Sequence, residues 1–206
     1  MPVIAQLATS MNRRDEEPNI ALAKKITAKA DHAAVKELVS YLWHKDKNIR
    51  HDSIKVLYEA AAIHPAMIAP YYNDFIRLIE TGNNRMLWGA MTALDYVAQE
   101  IPGELFKVLP KIEAGAEKDS VIARDHAVGI FAKLASSEKY AKKVLPVLIR
   151  QLLTCPLNQL PMYAEITLKH IQQREKPLIR EALLKRLPEV IKDSQRKRLV
   201  KVIGNL

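Results

Sequence analysis

The sequence predicts an all-α fold, a solenoid of about five stacked helix pairs. Three observations lead there. A helical register recurs four times at a spacing of 37. Only six of 206 residues are glycine, few for a strand-rich chain whose turns favour Gly. Hydrophobic residues at 49% against 27% charged are enough to bury a continuous core.

The repeat is anchored on Ser53, Ala90, Ala127 and Ala164, each 37 positions after the last. Three residues on stand Val56, Ala93, Ile130 and Thr167, and four on stand Leu57, Leu94, Phe131 and Leu168. Four residues before the anchors stand Ile49, Met86, Ala123 and Leu160. Small or apolar residues at i, i+4, i+7 and i+8 mark one face of a helix, not the alternation of a strand. Thr167 is the polar exception. Each such helix is followed by a second, expected near 66–81, 103–115, 138–154 and 176–191. Pro65 and Pro102, again 37 apart, suit the first position of a helix, where no N–H is needed. The tetrads Lys107-Val108-Leu109-Pro110 and Lys143-Val144-Leu145-Pro146, and the related Arg186-Leu187-Pro188, put proline inside these second helices. Each proline is expected to start or kink its helix locally. Asp46, Thr81-Gly82-Asn83 and Asp119-Ser120 punctuate the junctions.

The expected organisation follows. Residues 1–17 form an arm or partial cap. Residues 18–206 form one array, with repeats near 19–44, 46–81, 83–115, 119–154 and 157–191. A capping helix closes it at 194–203, with Leu199, Val202 and Ile203 on one face. One helix pair cannot bury its apolar face alone, whereas stacked pairs share a core.

The unit resembles the HEAT repeat, a member of the armadillo-like α-solenoid superfamily. The residues that carry the resemblance are Asp46, Ile49 and Arg50 followed by Ser53, Val56 and Leu57, and Ala123-Arg124 followed by Ala127, Ile130 and Phe131. Met86-Leu87 and Leu160-Pro161 depart from the apolar–Arg pair. The resemblance implies a right-handed superhelix with the second helices on the concave side. It also implies that Asp46, Arg50 and Arg124 act as structural polar residues between repeats.

No constellation of catalytic groups stands out. His44, His51 and Asp52 are read as surface residues rather than metal ligands. Ser120, Asp125 and His126 hold the letters of a triad without its geometry. Cys155, the one cysteine, excludes an intrachain disulfide and is read as a buried, inert thiol. The chain is therefore expected to be no enzyme, with no cofactor, metal or small-molecule substrate. Trp88 replaces His51 in its column, so it is either an exposed recognition aromatic or a packing residue, with packing favoured. Trp43, near a helix end, is also read as packing.

The net charge of +9 is uneven. Residues 169–201 hold 11 of the 32 Lys/Arg and four of the 23 Asp/Glu, hence +7 of the total. On the second helices, Arg77, Lys107, Lys111, Lys143, Arg150, Arg180 and Lys185 could form a basic stripe, with Tyr71 and Tyr72 as anchors. The reading that follows is a scaffold whose basic concave surface holds a protein partner of acidic or mixed charge. A nucleic-acid-binding protein is the alternative. Its variant is an alkyl-base DNA glycosylase, with Trp88 and Asp95 on one helix. No apolar run is long enough for a membrane span. The charges of the first 14 residues follow the apolar part, the wrong order for a secretory signal, so a cytoplasmic location is expected.

Overall fold

A computed structural model describes residues 2–118 and 120–206 of the chain. Asp119, half of one predicted junction, and Met1 of the predicted arm lie outside the described residues. The described residues are α-helices, short 3-10 turns and connections, with no strand. They divide into two compact units, Met1–His126 and Ala127–Leu206, with the boundary inside one helix.

The first unit opens on two 3-10 turns, Val3–Gln6 and Thr9–Met11; Val3 and the two residues between the turns, Leu7 and Ala8, are buried. Then come α1 (Glu17–Ala28) and α2 (His32–Tyr41), the latter capped by Asp31, which accepts from the Ala34 N–H at 2.9 Å. The long α3 (Lys47–Ile63) has Asp46 as its N-cap. Its partner is broken: α4 (Pro65–Ile68), a 3-10 turn Ala69–Tyr71 containing Pro70, then α5 (Tyr72–Ile79). Gly82 adopts φ +73° in the turn that follows, a conformation that costs glycine nothing. Next are α6 (Asn84–Val97), capped by Asn83, and a second broken partner, α7 (Pro102–Lys107) and α8 (Leu109–Ala116). Pro65 and Pro102 occupy first helical positions, as their spacing predicted.

The second unit takes up the chain within α9 (Val121–Ala135). It continues with α10 (Glu138–Thr154), α11 (Leu160–His170), α12 (Lys176–Arg186), a 3-10 turn Leu187–Glu189 and α13 (Asp193–Gly204). The three predicted prolines behave differently. Pro110 starts α8 after a break at Val108, Pro188 lies in the 3-10 turn that ends α12, and Pro146 sits within an unbroken α10. The same tetrad thus breaks one second helix and not another.

The repeated register is the core. Ser53, Ala90, Ala127 and Ala164 are fully buried, and so are Val56, Ala93, Ile130 and Thr167. Small anchors let first helices approach closely. At Gly89 on α6 a Cβ would stand 2.6 Å from Ile54 Cγ1 on α3. The large residues behind the anchors, Leu57, Leu94 and Phe131, contribute about 1.5–3 kcal/mol each by leaving water.

Helix C-termini leave four carbonyls without intrahelical donors. Here each second helix, or the connection just after it, receives a cationic side chain. Arg50 donates to the carbonyls of His44 (2.7 Å) and Lys45 (3.2 Å), beyond α2. Lys118 donates to Ile79, the last residue of α5, and Arg124 to Ala116, the last of α8, at 3.1 Å. Arg186 donates to Leu152 (3.0 Å) and Cys155 (3.2 Å) at the end of α10. Arg196 reaches Leu187, just past α12, at 3.0 Å. Positive charge is favourable at these negative dipole ends. Part of the basic excess is therefore architectural.

Candidate functional site

The predicted surface lies on the second helices, and each unit carries its own share. In the first unit the exposed residues of α2, α5 and α7–α8 are tied together in sequence. The Arg77 guanidinium of α5 stacks on the Trp43 ring just past α2, 4.4 Å from its centroid. Glu80, after α5, accepts from Lys111 of α8 at 3.0 Å. Three consecutive second helices thus present one surface. Trp43 is 41% exposed on it, and a cleft of about 300 Å³ opens alongside, lined by Leu42, Trp43, Arg50, Leu78, Thr81, Asn83 and Met86. Arg77 also lies 3.8 Å from Asp74. Lys107, the last residue of α7, is exposed. Tyr71 and Tyr72 are half-buried where the 3-10 turn passes into α5.

In the second unit the exposed positions of α10 are Glu138, Lys139, Lys142, Lys143, Pro146, Arg150, Leu153 and Thr154. Steps of three, four, seven, eleven and fourteen from Lys139 place Lys142, Lys143, Pro146, Arg150 and Leu153 on one helical face with it. Four of the eight exposed residues are cationic. Glu138, the acid nearest to them, is bound by Arg174 at 3.0 Å. On α12, Arg180 and Lys185 are exposed, and Lys185 pairs with Glu181 at 2.8 Å.

Two residues have other surroundings. Trp88 is half-buried, its ring centroid 6.0 Å from that of Tyr58 on α3, with the Arg85 guanidinium 4.7 Å from its own centroid. Asp95 binds His126 Nδ1 at 2.9 Å, linking α6 to α9. His126 of the triad-like letters is thus turned toward a residue outside that set. Asp46 caps its own helix through the Asn48 N–H at 2.8 Å, while Arg50 and Arg124 serve carbonyls of the preceding layer. The connection between layers is arginine to main chain, not arginine to Asp46.

Sequence reasoning read Trp43 as packing, whereas it is 41% exposed, and passed over Lys139 and Lys142. The two lysines were findable from their spacing to Lys143 and Arg150 on one face. Trp43 had no such signal, because its exposure depends on where α5 places Arg77. Among the described residues no group of three or more His, Cys, Asp or Glu is placed to hold a metal ion, and no helix is long and apolar enough to cross a membrane. Cys155 is buried.

Solved structures with a similar arrangement of helices include designed proteins. A computationally designed armadillo repeat protein for modular peptide recognition superposes with a TM-score of 0.67 at 13% identity, covering 99% of this chain and 98% of the other. A designed armadillo repeat protein in complex with the peptide (KR)4 gives 0.66 at 14% identity, covering 98% and 97%. An engineered protein gives 0.65 at 17% identity, covering 98% and 96%. The chain has an armadillo/HEAT-like solenoid fold. No protein-family model matches the sequence. No curated protein matches it either. At these identities the likeness concerns the fold alone. The alternation of first and second helices accounts for it, since that alternation places the repeated buried faces between layers.

Proposed function

We propose that the chain is a non-enzymatic repeat scaffold that binds an extended peptide segment of acidic or mixed charge along its second helices. The observation that carries this reading is the Arg77–Trp43 stack beside its cleft. It puts an exposed aromatic, a cation and a recess together on a surface shared by three second helices. Tryptophan and arginine beside a pocket are the residues that dominate interface energy. Each unit carries exposed cations on its second helices, Lys107 and Lys111 in the first and Lys139, Lys142, Lys143 and Arg150 in the second. Peptide binding by the designed armadillo proteins, one of them holding (KR)4, supports the mode of recognition. The sign is the opposite one, because the exposed cations here call for a partner rich in Asp and Glu. A reducing, cytoplasmic compartment belongs to the same reading and is supported by the lone buried thiol, Cys155.

Fluorescence anisotropy with labelled (Glu-Asp)4 and (Lys-Arg)4 peptides, each flanked by leucine, tests the reading. The acidic peptide is expected to bind, and the double variant Lys143→Glu, Arg150→Glu to weaken it about tenfold or more. Equal binding of both peptides, or binding untouched by the charge reversal, would contradict it. Duplex DNA in the same assay decides the alternative. A steep loss of DNA affinity with salt, together with no acidic-peptide binding, would replace this reading by nucleic-acid binding.

A further inference from the structure

The peptide surface leaves most of the basic stretch 169–201 unused. Three of its four carboxylates are spent on cations of the same stretch. Glu175 binds Arg174, Glu181 binds Lys185 at 2.8 Å, and Glu189 binds Arg186 at 2.9 Å. Asp193 alone remains to balance the other eight of its 11 Lys/Arg. Five of those eight lie on α13 or immediately before it.

The cations converge. α13 buries Leu199, Val202 and Ile203. On its exposed side Arg196, Lys197, Val200 and Lys201 are linked by steps of three and four, which is one helical face. Arg198, at the margin, donates to both oxygens of Glu165 on α11 at 2.7 and 2.8 Å. The Glu165 carboxyl is held below its ordinary range. The Arg198 hydrogen bond does most of this, and the charges of Arg198, Lys169 and Lys201 add to it against the opposing effect of burial. Lys169 of α11 and Lys201 of α13 therefore stand round one group. Before the helix comes exposed Lys192, and Arg196 holds the preceding turn by donating to the Leu187 carbonyl at 3.0 Å. Ile191 follows that turn and is 93% exposed, more than any other large hydrophobic among the described residues. Val200 is 50% exposed amid the cations.

The mixture selects the partner. A nucleic-acid backbone would use the cations alone, and no aromatic residue from Leu187 to Leu206 is present to stack on a base. An anionic bilayer uses both kinds of residue, with acidic headgroups at its surface and hydrocarbon beneath them.

We infer that the α11–α13 surface of the second unit docks on an anionic lipid bilayer, with Lys169, Lys192, Arg196, Lys197 and Lys201 over the headgroups and Ile191 inserted between them. Six cations, Arg198 included, stand against the two carboxylates Glu165 and Asp193. At about fivefold per net positive charge, and about tenfold for burying Ile191, the association is reversible, on the order of 10⁴ M⁻¹ in lipid.

The test is co-sedimentation of the full chain with phosphatidylcholine vesicles, either pure or containing about one-third phosphatidylserine. Binding to the anionic vesicles alone, weakened by salt, is expected. Ile191, Lys197 and Lys201 are exposed, so their variants are expected to keep the helical content of the parent. Lys197→Glu, Lys201→Glu should bind about twentyfold more weakly or worse. Ile191→Ser should bind about tenfold more weakly, a loss that a purely ionic contact would not show. Lys143→Glu, Arg150→Glu on α10 changes the net charge equally and should cost less than the α13 reversal. The inference is overturned if the anionic vesicles fail to bind, if neutral vesicles bind equally, or if Ile191→Ser binds as tightly as the parent. It is also overturned if the α10 reversal costs as much as the α13 reversal, or if a short DNA duplex at equal phosphate concentration strips the protein from the vesicles, which would make the surface a nucleic-acid site.

Discussion

Arg186 offers the sharpest measure of how the layers are fastened. Its side chain is almost fully buried, 9% exposed, and its two terminal nitrogens serve the carbonyls of Leu152 and Cys155 at the end of α10. Arg186→Met keeps the aliphatic stem and removes both donors. Hydrogen bonds from a charged donor contribute about 1.5–3 kcal/mol each, and the larger figure applies when the acceptor is left buried. Water reaches part of the site, because Glu189, the third partner at 2.9 Å, is half exposed. That surface pair adds less than about 1 kcal/mol. The expected loss for Arg186→Met is therefore about 3 kcal/mol, more than a hundredfold in the folding equilibrium. Arg186→Lys, able to reach one carbonyl well, should lose about half of that. Urea denaturation gives the total. Hydrogen exchange of the α10 and α12 amides locates it, since the loss should appear there as faster opening. A Met variant within about 0.5 kcal/mol of the parent would refute the claim that cation-to-carbonyl bonds hold the layers.

Three further predictions use different parts of the chain. Gly89→Ala should destabilise by about 1 kcal/mol, because crowding against Ile54 at 2.6 Å outweighs the gain in helix propensity. The penalty should shrink in an Ile54→Ala background, measured as a double-mutant cycle of thermal denaturation. Ala30, exposed after α1, has φ +47°, a left-handed conformation that costs an L-residue about 1 kcal/mol, so Ala30→Gly should raise stability by about 0.5–1 kcal/mol in the same assay. Glu16 is held below the ordinary carboxylate range, first by Lys55 and then by Arg85. A depressed folded value means its contribution is present above about pH 4.3 and disappears as pH falls through that folded value. In a Trp43→Phe background, Trp88 emission should report release of the Arg85–Glu16 pair with a midpoint below that pH, and Glu16→Gln should abolish the transition.

The architecture was legible because it is written in a local period. Ser53, Ala90, Ala127 and Ala164 share one register and one burial. Helix ends were read well where a capping residue or proline marks them, as at Asp46, Pro65 and Pro102. The interlayer bonds were not legible, since Lys118 and Ile79, or Arg186 and Leu152, meet only after folding and share no motif. Arg50 and Arg124 were expected to pair with Asp46 between repeats; Asp46 serves as an N-cap, and the two arginines bond main-chain carbonyls. Proline shows the same limit: identical tetrads at 107–110 and 143–146 differ in outcome, which the local letters do not encode. The surface was half legible. Charge on α10 follows from spacing, whereas the recess beside Trp43 depends on residues from α3, α5, α6 and the connections around them.

The proposal that the second helices form the recognition surface makes the two tryptophans unequal. Trp43 stands on that surface, and Trp88 lies on a first helix beside Tyr58. Titrating the leucine-flanked acidic peptide into two single-tryptophan variants, Trp88→Phe and Trp43→Phe, in phosphate-free buffer compares them directly. A saturable change in Trp43 emission with Trp88 silent is the predicted result. A response from Trp88 alone would place the partner on the first helices and contradict the account.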